Sequence, residues 1–428
     1  ASDTLRATRV PSRNNLMTAG AAMPSTLFDS LQEAVLERIR EAHFEPFLKA
    51  EEYTKFVQFK TLGEKKYGEP DFAVFRKLGR GGFGAVFACK KLTTGCLYAM
   101  KVMDKQRIKN KKAQKMIMNE RSVLSVLNSP FVVCMAYAFE TKTDVVFVLD
   151  LMQGGDLQFH LLHEGTFGPE RTVFYAGQVL LALEHLHSLN IVYRDLKPEN
   201  VLLDKRGNCR VSDMGLACQV PQQGLRGRCG TRGYWAPEML DKEKRYGLEV
   251  DWWSYGCTIY QMLFGKSPFR TDEAKALKPE DKRASIDLAT LTMDVPYPKK
   301  TFDDSAIAML SELFQRDPKK RLGSNGADEI KLSLFFSNLD WGVLENGSME
   351  PPFVPNRDIN AQSQEDIGDF ERTKKTPLTP EDHKFFEQIE FTSSEAIQRE
   401  LADFLQYEED HGPIKLQSGA DVGCCTLL

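Results

Sequence analysis

The sequence predicts an α+β protein in which short strands come first and helices follow. Between Phe72 and Leu149 the apolar residues fall in short runs of strand formers, Tyr98-Ala99-Met100-Lys101-Val102 and Val145-Val146-Phe147-Val148-Leu149 among them. From Arg171 to Leu189 the period changes, and Val173, Ala176, Leu180, Leu183 and His187 share one helical face. Directly after that helix comes Ile191-Val192-Tyr193-Arg194-Asp195-Leu196-Lys197-Pro198-Glu199-Asn200, which sets an Asp, a Lys and an Asn at short intervals.

The chain has 428 residues, room for one large domain with smaller attachments. Its 42% hydrophobic and 27% charged content is ordinary for a globular protein, and a net charge of -4 gives no basis for a nucleic-acid partner. No apolar run approaches the roughly 18 to 20 residues of a membrane span. Seven of the nine cysteines lie singly between Cys89 and Cys257, without a C-x-x-C pair, which reads as reduced, packed thiols of a cytoplasmic protein. Cys424 and Cys425 stand apart at the end of the chain.

Residues 1–26 are rich in Ser, Thr, Ala and Arg with Asp3 as their only acid, and are expected to be a disordered arm, an organelle transit peptide being the alternative. The chain opens on Ala1, which leaves open that it is a fragment. Residues 27–70 are expected to be helical: Leu31, Val35, Ile39 and Phe44 recur at three-to-five spacing, and Phe47, Tyr53, Phe56 and Phe59 continue the apolar face.

At Phe72 strands begin. Phe75 to Leu78 leads into Gly79-Arg80-Gly81-Gly82-Phe83-Gly84 and then Ala85-Val86-Phe87-Ala88-Cys89. The glycines fit G-x-G-x-x-G, a weak signal alone. A dinucleotide-binding fold needs a helix after them, whereas β-formers follow here, so the glycines cap a hairpin whose backbone N–H groups can approach phosphates. Lys101 stands within an apolar strand, where burial is costly unless it is paired. Its expected partner is Glu120, on one helical face with Met116, Val123 and Leu127. Asp150-Leu151-Met152 connects the strand at Val145–Leu149 to Gly154-Gly155-Asp156. His185 and His187 lack metal-ligand spacing and read as structural.

After Asn200 come the buried strand Val201-Leu202-Leu203, then Asp213-Met214-Gly215, Ala236-Pro237-Glu238 and a buried helix opening at Asp251, with Arg321 as an ion-pair partner for Glu238. The glycine loop, Lys101, Glu120, Asp195, Asn200, Asp213, Glu238 and Asp251, in that order, resemble a protein kinase, and the resemblance implies a bilobal fold with a β-rich first lobe and a helical second. Tyr193 stands where His is usual, and Met214 where Phe is common. The resemblance implies ATP and Mg²⁺ as cofactors. Asp195 would orient and deprotonate the acceptor hydroxyl. Lys197 would offset charge on the moving phosphoryl group, Lys101 would hold the phosphates, and Asn200 and Asp213 would bind the metal. Gly79, Gly81, Gly82, Gly84, Val86, Lys101, Glu120, Asp150, Met152 and Asp156 would form the nucleotide site, with the 150–152 connection offering backbone to adenine and Asp156 near ribose or substrate.

Between Asp213 and Gly230 there is no Ser, Thr or Tyr. Kinases with Arg beside the catalytic Asp, here Arg194, are often switched on by a phosphate in this loop. This loop has nothing to phosphorylate, so control by a docking partner is expected.

Finer features resemble the G protein-coupled receptor kinases of the AGC serine/threonine class: Asn119-Glu120, Val132 to Glu140, Met152 to His160, Tyr193-Arg194-Asp195 and Gly230-Thr231-Arg232-Gly233-Tyr234. The kinase domain is expected over 72–336 and an AGC extension over 337–407. In that extension Glu350-Pro351-Pro352-Phe353-Val354-Pro355 resembles the family's tail, and Ala361 to Phe370 a tether over the ATP site. Segment 27–70 resembles the end of a regulator-of-G-protein-signalling homology domain, apparently truncated, and 380–407 resembles helices that return to it. Residues 408–428 read as a flexible tail ending in Cys425-Thr426-Leu427-Leu428, a C-a-a-X box that favours geranylgeranylation of Cys425. Such an end resembles the retinal members. The expected partner is therefore an activated G protein-coupled receptor, with an opsin as a weaker suggestion, and the expected role is receptor desensitisation. A monomer is expected, lipid-anchored at the cytoplasmic face of membranes or free in the cytoplasm. The alternatives are an AGC kinase with soluble substrates and a catalytically inactive scaffold.

Overall fold

The structure is a computed structural model that describes residues 29–50, 53, 57, 60–61, 64–356 and 377–411. The arm, the 361–370 tether and the two terminal cysteines lie outside the described residues. The chain divides into two compact units, residues 1–64 and 65–428. In the first, helix α1 spans Asp29–Ile39, a π-turn follows over Arg40–Phe44 and a short helix over Glu45–Leu48. Leu31, Val35, Leu36 and Ile39 on α1 are exposed.

The second unit opens with the expected strands β1 (Phe72–Arg80), β2 (Gly84–Lys91), β3 (Leu97–Asp104) and β5 (Asp144–Asp150), and with β4 (Met135–Glu140), which the sequence reading does not include. They form one antiparallel sheet in the order β1-β2-β3-β5-β4, closed at its far edge by β10 (Phe391–Thr392). The register sets Lys101 of β3 opposite Val86 of β2 and Phe147 of β5. Helix α2 (Gln114–Leu124) buries Ile117, Glu120, Val123 and Leu124, as its 3.6-residue period requires.

The helical lobe follows. Helix α3 spans Leu157–Glu164 and α4 Pro169–Ser188, with Pro169 in the first turn, where its missing N–H costs nothing. The hairpin β7 (Val201–Leu203) and β8 (Cys209–Val211) and the short pair β6 (Ile191–Val192) and β9 (Cys218–Gln219) carry the loops of the site. Helix α5 (Val250–Phe264) is buried almost all round, and Trp253 in its first turn stacks on Phe269 and meets Phe314 edge-on. Beside it Glu238 and Arg321 make the expected ion pair, bidentate at 2.7 and 2.9 Å and fully buried. Leaving either partner unpaired there costs about 3–5 kcal/mol.

Two C-terminal segments fasten to these lobes. Phe353 lies 3.7 Å under the Arg171 guanidinium and against the His160 ring, which straps 351–355 to the helical lobe. Beyond 377 the chain returns to the strand lobe. Phe386 and Ile389 are fully buried, β10 pairs Phe391 with Ala138 and Thr392 with Tyr137, and α6 (Ser394–His411) buries Ala396, Ile397 and Glu400. These buried side chains pack against the strand lobe, where β4 offers an open edge that β10 completes, and the helix runs to His411.

Candidate active site

The two lobes of the second unit enclose a cleft of about 1330 Å³. All the residues predicted for nucleotide, phosphate and metal contact line it: Gly79, Gly81, Gly82, Gly84, Val86, Lys101, Glu120, Asp150, Met152, Asp156, Asp195, Asn200 and Asp213. Lys197 reaches the same centre through Asp195. The glycines differ in what they do. A Cβ at Gly84 would fall 1.7 Å from the Val102 carbonyl oxygen, so β3 itself demands glycine there. At Gly79, Gly81 and Gly82 a Cβ would meet nothing closer than 3.8 Å, so the fold leaves the loop open to a ligand.

Lys101 donates to Glu120 at 2.6 Å and stands 3.8 Å from Asp213. Burial works against its charge, yet the Glu120 and Asp213 carboxylates outweigh it and hold the ammonium above the ordinary lysine range. Burial pushes the Glu120 carboxyl up, with Lys101 opposing. Asp213 keeps 57% of its side chain exposed and takes a left-handed backbone conformation, φ 56°. A non-glycine residue there is strained, a cost tolerated where function fixes the geometry.

The catalytic stretch is held from below. The Asp251 carboxylate accepts the backbone N–H groups of Tyr193 and Arg194, both at 2.8 Å, and lies 2.9 Å from His187 Nε2. Asp251, one of the ordered kinase features of the sequence, and His187, read there as structural, together fix the loop. Tyr193 is buried and donates its hydroxyl to the Ser212 carbonyl, one residue before Asp213, so Tyr in place of His ties the Asp195 loop to the Asp213 turn.

Asp195 receives four hydrogen bonds from three side chains. Thr231 Oγ1 donates to its Oδ1 at 2.6 Å, and Lys197 Nζ to its Oδ2 at 2.8 Å. The Asn200 amide donates to its Oδ2 at 3.1 Å and to its carbonyl at 2.8 Å. Lys197 also donates to Thr231 at 2.7 Å, which closes a triangle around one carboxylate. With its amide nitrogen so used, Asn200 has its amide oxygen left to meet a cation. Gly230, at φ 88°, lets the chain cross above the loop, since a Cβ there would fall 2.1 Å from the Arg194 carbonyl oxygen. Arg194 is occupied: its guanidinium donates to the Leu216 carbonyl at 2.6 and 2.8 Å.

The backbone of Asp150 borders the cleft, but its carboxylate faces away, accepting from Cys134 N–H, Arg210 and Arg399 at 3.1, 2.6 and 3.0 Å. Asp156 caps α3 by accepting from Phe159 N–H at 2.8 Å. Sequence reasoning missed both arginines: Arg399 lies far from the site in the chain, and Arg210, three residues before Asp213, sits in a short strand with no motif to mark it.

The donor set suits a nucleoside triphosphate with a hard divalent cation. One exposed carboxylate, one amide oxygen and a lysine share an open cleft, and among the described residues no group of three or more His, Cys, Asp or Glu could hold a metal alone. Magnesium characteristically takes one or two protein carboxylates and completes its shell with phosphate oxygens and water.

Comparison with known proteins agrees with this geometry. Residues 72–336 match the protein kinase domain family. Over 390 residues the chain is 42% identical to human beta-adrenergic receptor kinase 1, a match covering 89% of this chain and 56% of that protein. The beta-adrenergic receptor kinase 1 of Didelphis virginiana matches to the same extent. The G protein-coupled receptor kinase 2 of Caenorhabditis elegans is 40% identical over 391 residues, 89% of this chain and 54% of that one. The chain thus spans little more than half the length of these relatives.

Proposed function

This chain belongs to the protein kinase family, and from that premise we propose that it transfers the γ-phosphate of Mg-ATP to Ser or Thr of an activated G protein-coupled receptor. The observation that carries the reading is the triangle of Asp195, Lys197 and Thr231, set opposite the Lys101–Glu120 pair across one cleft. Similarity to the receptor kinases supports the substrate class.

Mg-ATP supplies the phosphoryl group and the charge that neutralises its transfer. Asp195 accepts the proton of the acceptor hydroxyl and aims its oxygen, held by Thr231 and Asn200 so that little reorganisation is needed. Lys197, already beside Asp195, balances charge developing on the phosphoryl oxygens. Lys101 grips the inner phosphates, positioned by Glu120. Asp213 and Asn200 would hold the magnesium, and the open glycine loop would present backbone N–H groups to the phosphates.

Control follows from Arg194. Its guanidinium is satisfied by Leu216, within the loop that has no hydroxyl to phosphorylate, so we assign activation to a docking partner. Replacing Thr231 with Glu is expected to abolish activity, since it sets a like charge against Asp195; activity in Thr231→Glu would overturn partner control. For the tail we propose a geranylgeranyl group on Cys425, which brings the kinase to the cytoplasmic face of membranes, with an opsin as substrate and desensitisation as outcome. One such chain gives reversible binding. An unmodified Cys425 in the native C-terminal peptide, by mass spectrometry, would overturn the anchor.

The deciding experiment is phosphate incorporation into membranes bearing active or inactive receptor, with Asp213→Asn as control. Incorporation that depends on receptor activation supports the reading. Equal use of soluble peptides points to soluble substrates, and no turnover of Mg-ATP to a scaffold.

A further inference from the structure

The C-terminal helix α6 lies outside the segment that matches the kinase domain, yet two consecutive residues of it bind the kinase at its most sensitive place. Glu400 is buried and holds the strand lobe. It accepts from Lys91 of β2 at 2.6 Å, from Tyr98 of β3 at 2.5 Å and from Tyr137 of β4 at 2.7 Å. Its neighbour Arg399 donates to the carboxylate of Asp150 at 3.0 Å. Asp150 is the last residue of β5, where the strand lobe passes into the connection over Leu151 and Met152. The same carboxylate takes Arg210 of β8, in the helical lobe, at 2.6 Å. One carboxylate therefore joins three parts: the strand lobe, the helical lobe and the C-terminal helix.

We infer that Arg399 is a positioning residue for nucleotide binding, a strut by which α6, anchored through Glu400, sets the connection between the lobes.

The surroundings favour a local, mechanical role over a packing one. Arg399, Glu400 and Asp403 border a cavity of about 570 Å³ behind the connection, shared with Asp150, Leu151 and Met152. The strut crosses a groove rather than filling a core. Half of the Arg399 side chain is exposed while Asp150 is 10% exposed, so the bond is partly screened but aimed at a nearly buried acceptor. Losing Arg399 leaves Asp150 paired with Arg210, so no buried charge is stranded. The connection is then tied to the helical lobe alone.

This inference rests on the cleft being a nucleotide site, and the test separates the two. Mg-ADP binding to the full chain is measured by calorimetry for the native protein, Arg399→Gln and Arg399→Lys, together with amide hydrogen exchange over 150–154 without nucleotide. Arg399→Gln is expected to weaken Mg-ADP about threefold to fivefold, the range of a partly exposed charge pair. It should also lose part of the salt dependence of binding and speed exchange over 150–154, and Arg399→Lys should recover most of the affinity. Glu400→Gln serves as the structural comparison, lowering the unfolding temperature. Unchanged affinity and exchange in Arg399→Gln overturn the inference, whether or not its unfolding temperature moves. A native protein that fails to bind Mg-ADP overturns the reading of the cleft, and the positioning role with it.

Discussion

Two Lys–Glu pairs lie on neighbouring strands of the same sheet, each at 2.6 Å, and they do opposite things. Lys101–Glu120 opens on the cleft, with 24% of the lysine side chain exposed. Lys91–Glu400 is sealed, its side chains 2% and 3% exposed, with the Lys91 ammonium also over the rings of Tyr67 and Tyr137 at 4.3 and 4.5 Å. Their electrostatics diverge. Burial outweighs Glu400 and draws Lys91 below the ordinary lysine range, whereas Glu120 and Asp213 together outweigh burial and hold Lys101 above it. A second carboxylate and an open side make a lysine fit to grip an anion; one carboxylate and three tyrosines around a sealed lysine make a fastener. The pairs also differ in cost. A sealed pair recovers its desolvation only through well-formed hydrogen bonds, and the Lys91 cluster supplies them through Tyr98 and Tyr137.

The sharpest way to break this comparison is to remove the open lysine. Lys101→Met is expected to lower kcat/KM by about 10²- to 10³-fold, the loss that follows removal of one preorganised group on developing charge. Its unfolding midpoint should barely move, because the freed Glu120 carboxyl, already pushed up by burial, takes a proton. Steady-state phosphate transfer and urea unfolding on the same preparation check both halves. Full activity in this variant would remove Lys101 from the mechanism.

The sealed pair should give the reverse. Glu400→Gln leaves a buried ammonium unneutralised and is expected to cost about 3–5 kcal/mol of stability. Pairing it with Lys91→Met should recover much of that loss, since the charge that needed a partner is gone. Urea unfolding of the two single variants and the double variant measures the coupling. Additive losses would mean that the two residues stabilise the fold separately.

The two pairs were unequally legible. Lys101 announces itself as the one charge in an apolar strand, and Glu120 as an acid on the inward face of a short helix only 19 residues away. Lys91 follows Lys90 at a strand end and reads as solvated, and its partner lies 309 residues on, in a helix rich in acids. Pattern within a segment reports which face is buried, but not which distant segment covers it. That is also why the carboxylate of Asp150 gives no sign in the sequence of its partners Arg210 and Arg399. Asp195, Asn200 and Asp213 were legible because loop chemistry fixes their spacing. The hold of Asp251 on the backbone of Tyr193 and Arg194 was not, because a backbone N–H leaves no mark in sequence.

The smallest expected effect is the most diagnostic, because the two lysines should respond to alkali with opposite signs. For Lys91 the folded value lies below the unfolded value of about 10.5. Between the two, the unfolded chain binds the extra proton, so stability from this group rises with pH through that window and is lost as pH falls through the folded value. For Lys101 the folded value lies above 10.5. Its contribution is fully present below 10.5 and is lost as pH rises through the folded value, where the native state holds the proton longer. Urea unfolding at a series of pH values from neutrality into the alkaline range, for the native protein, Lys91→Met and Lys101→Met, isolates each slope by difference. The native-minus-Lys91→Met curve is expected to climb on approaching 10.5, and the native-minus-Lys101→Met curve to fall above it. Two curves of the same sign would mean that both lysines sit in one kind of environment, and the distinction between an open pair that grips and a sealed pair that fastens would fail.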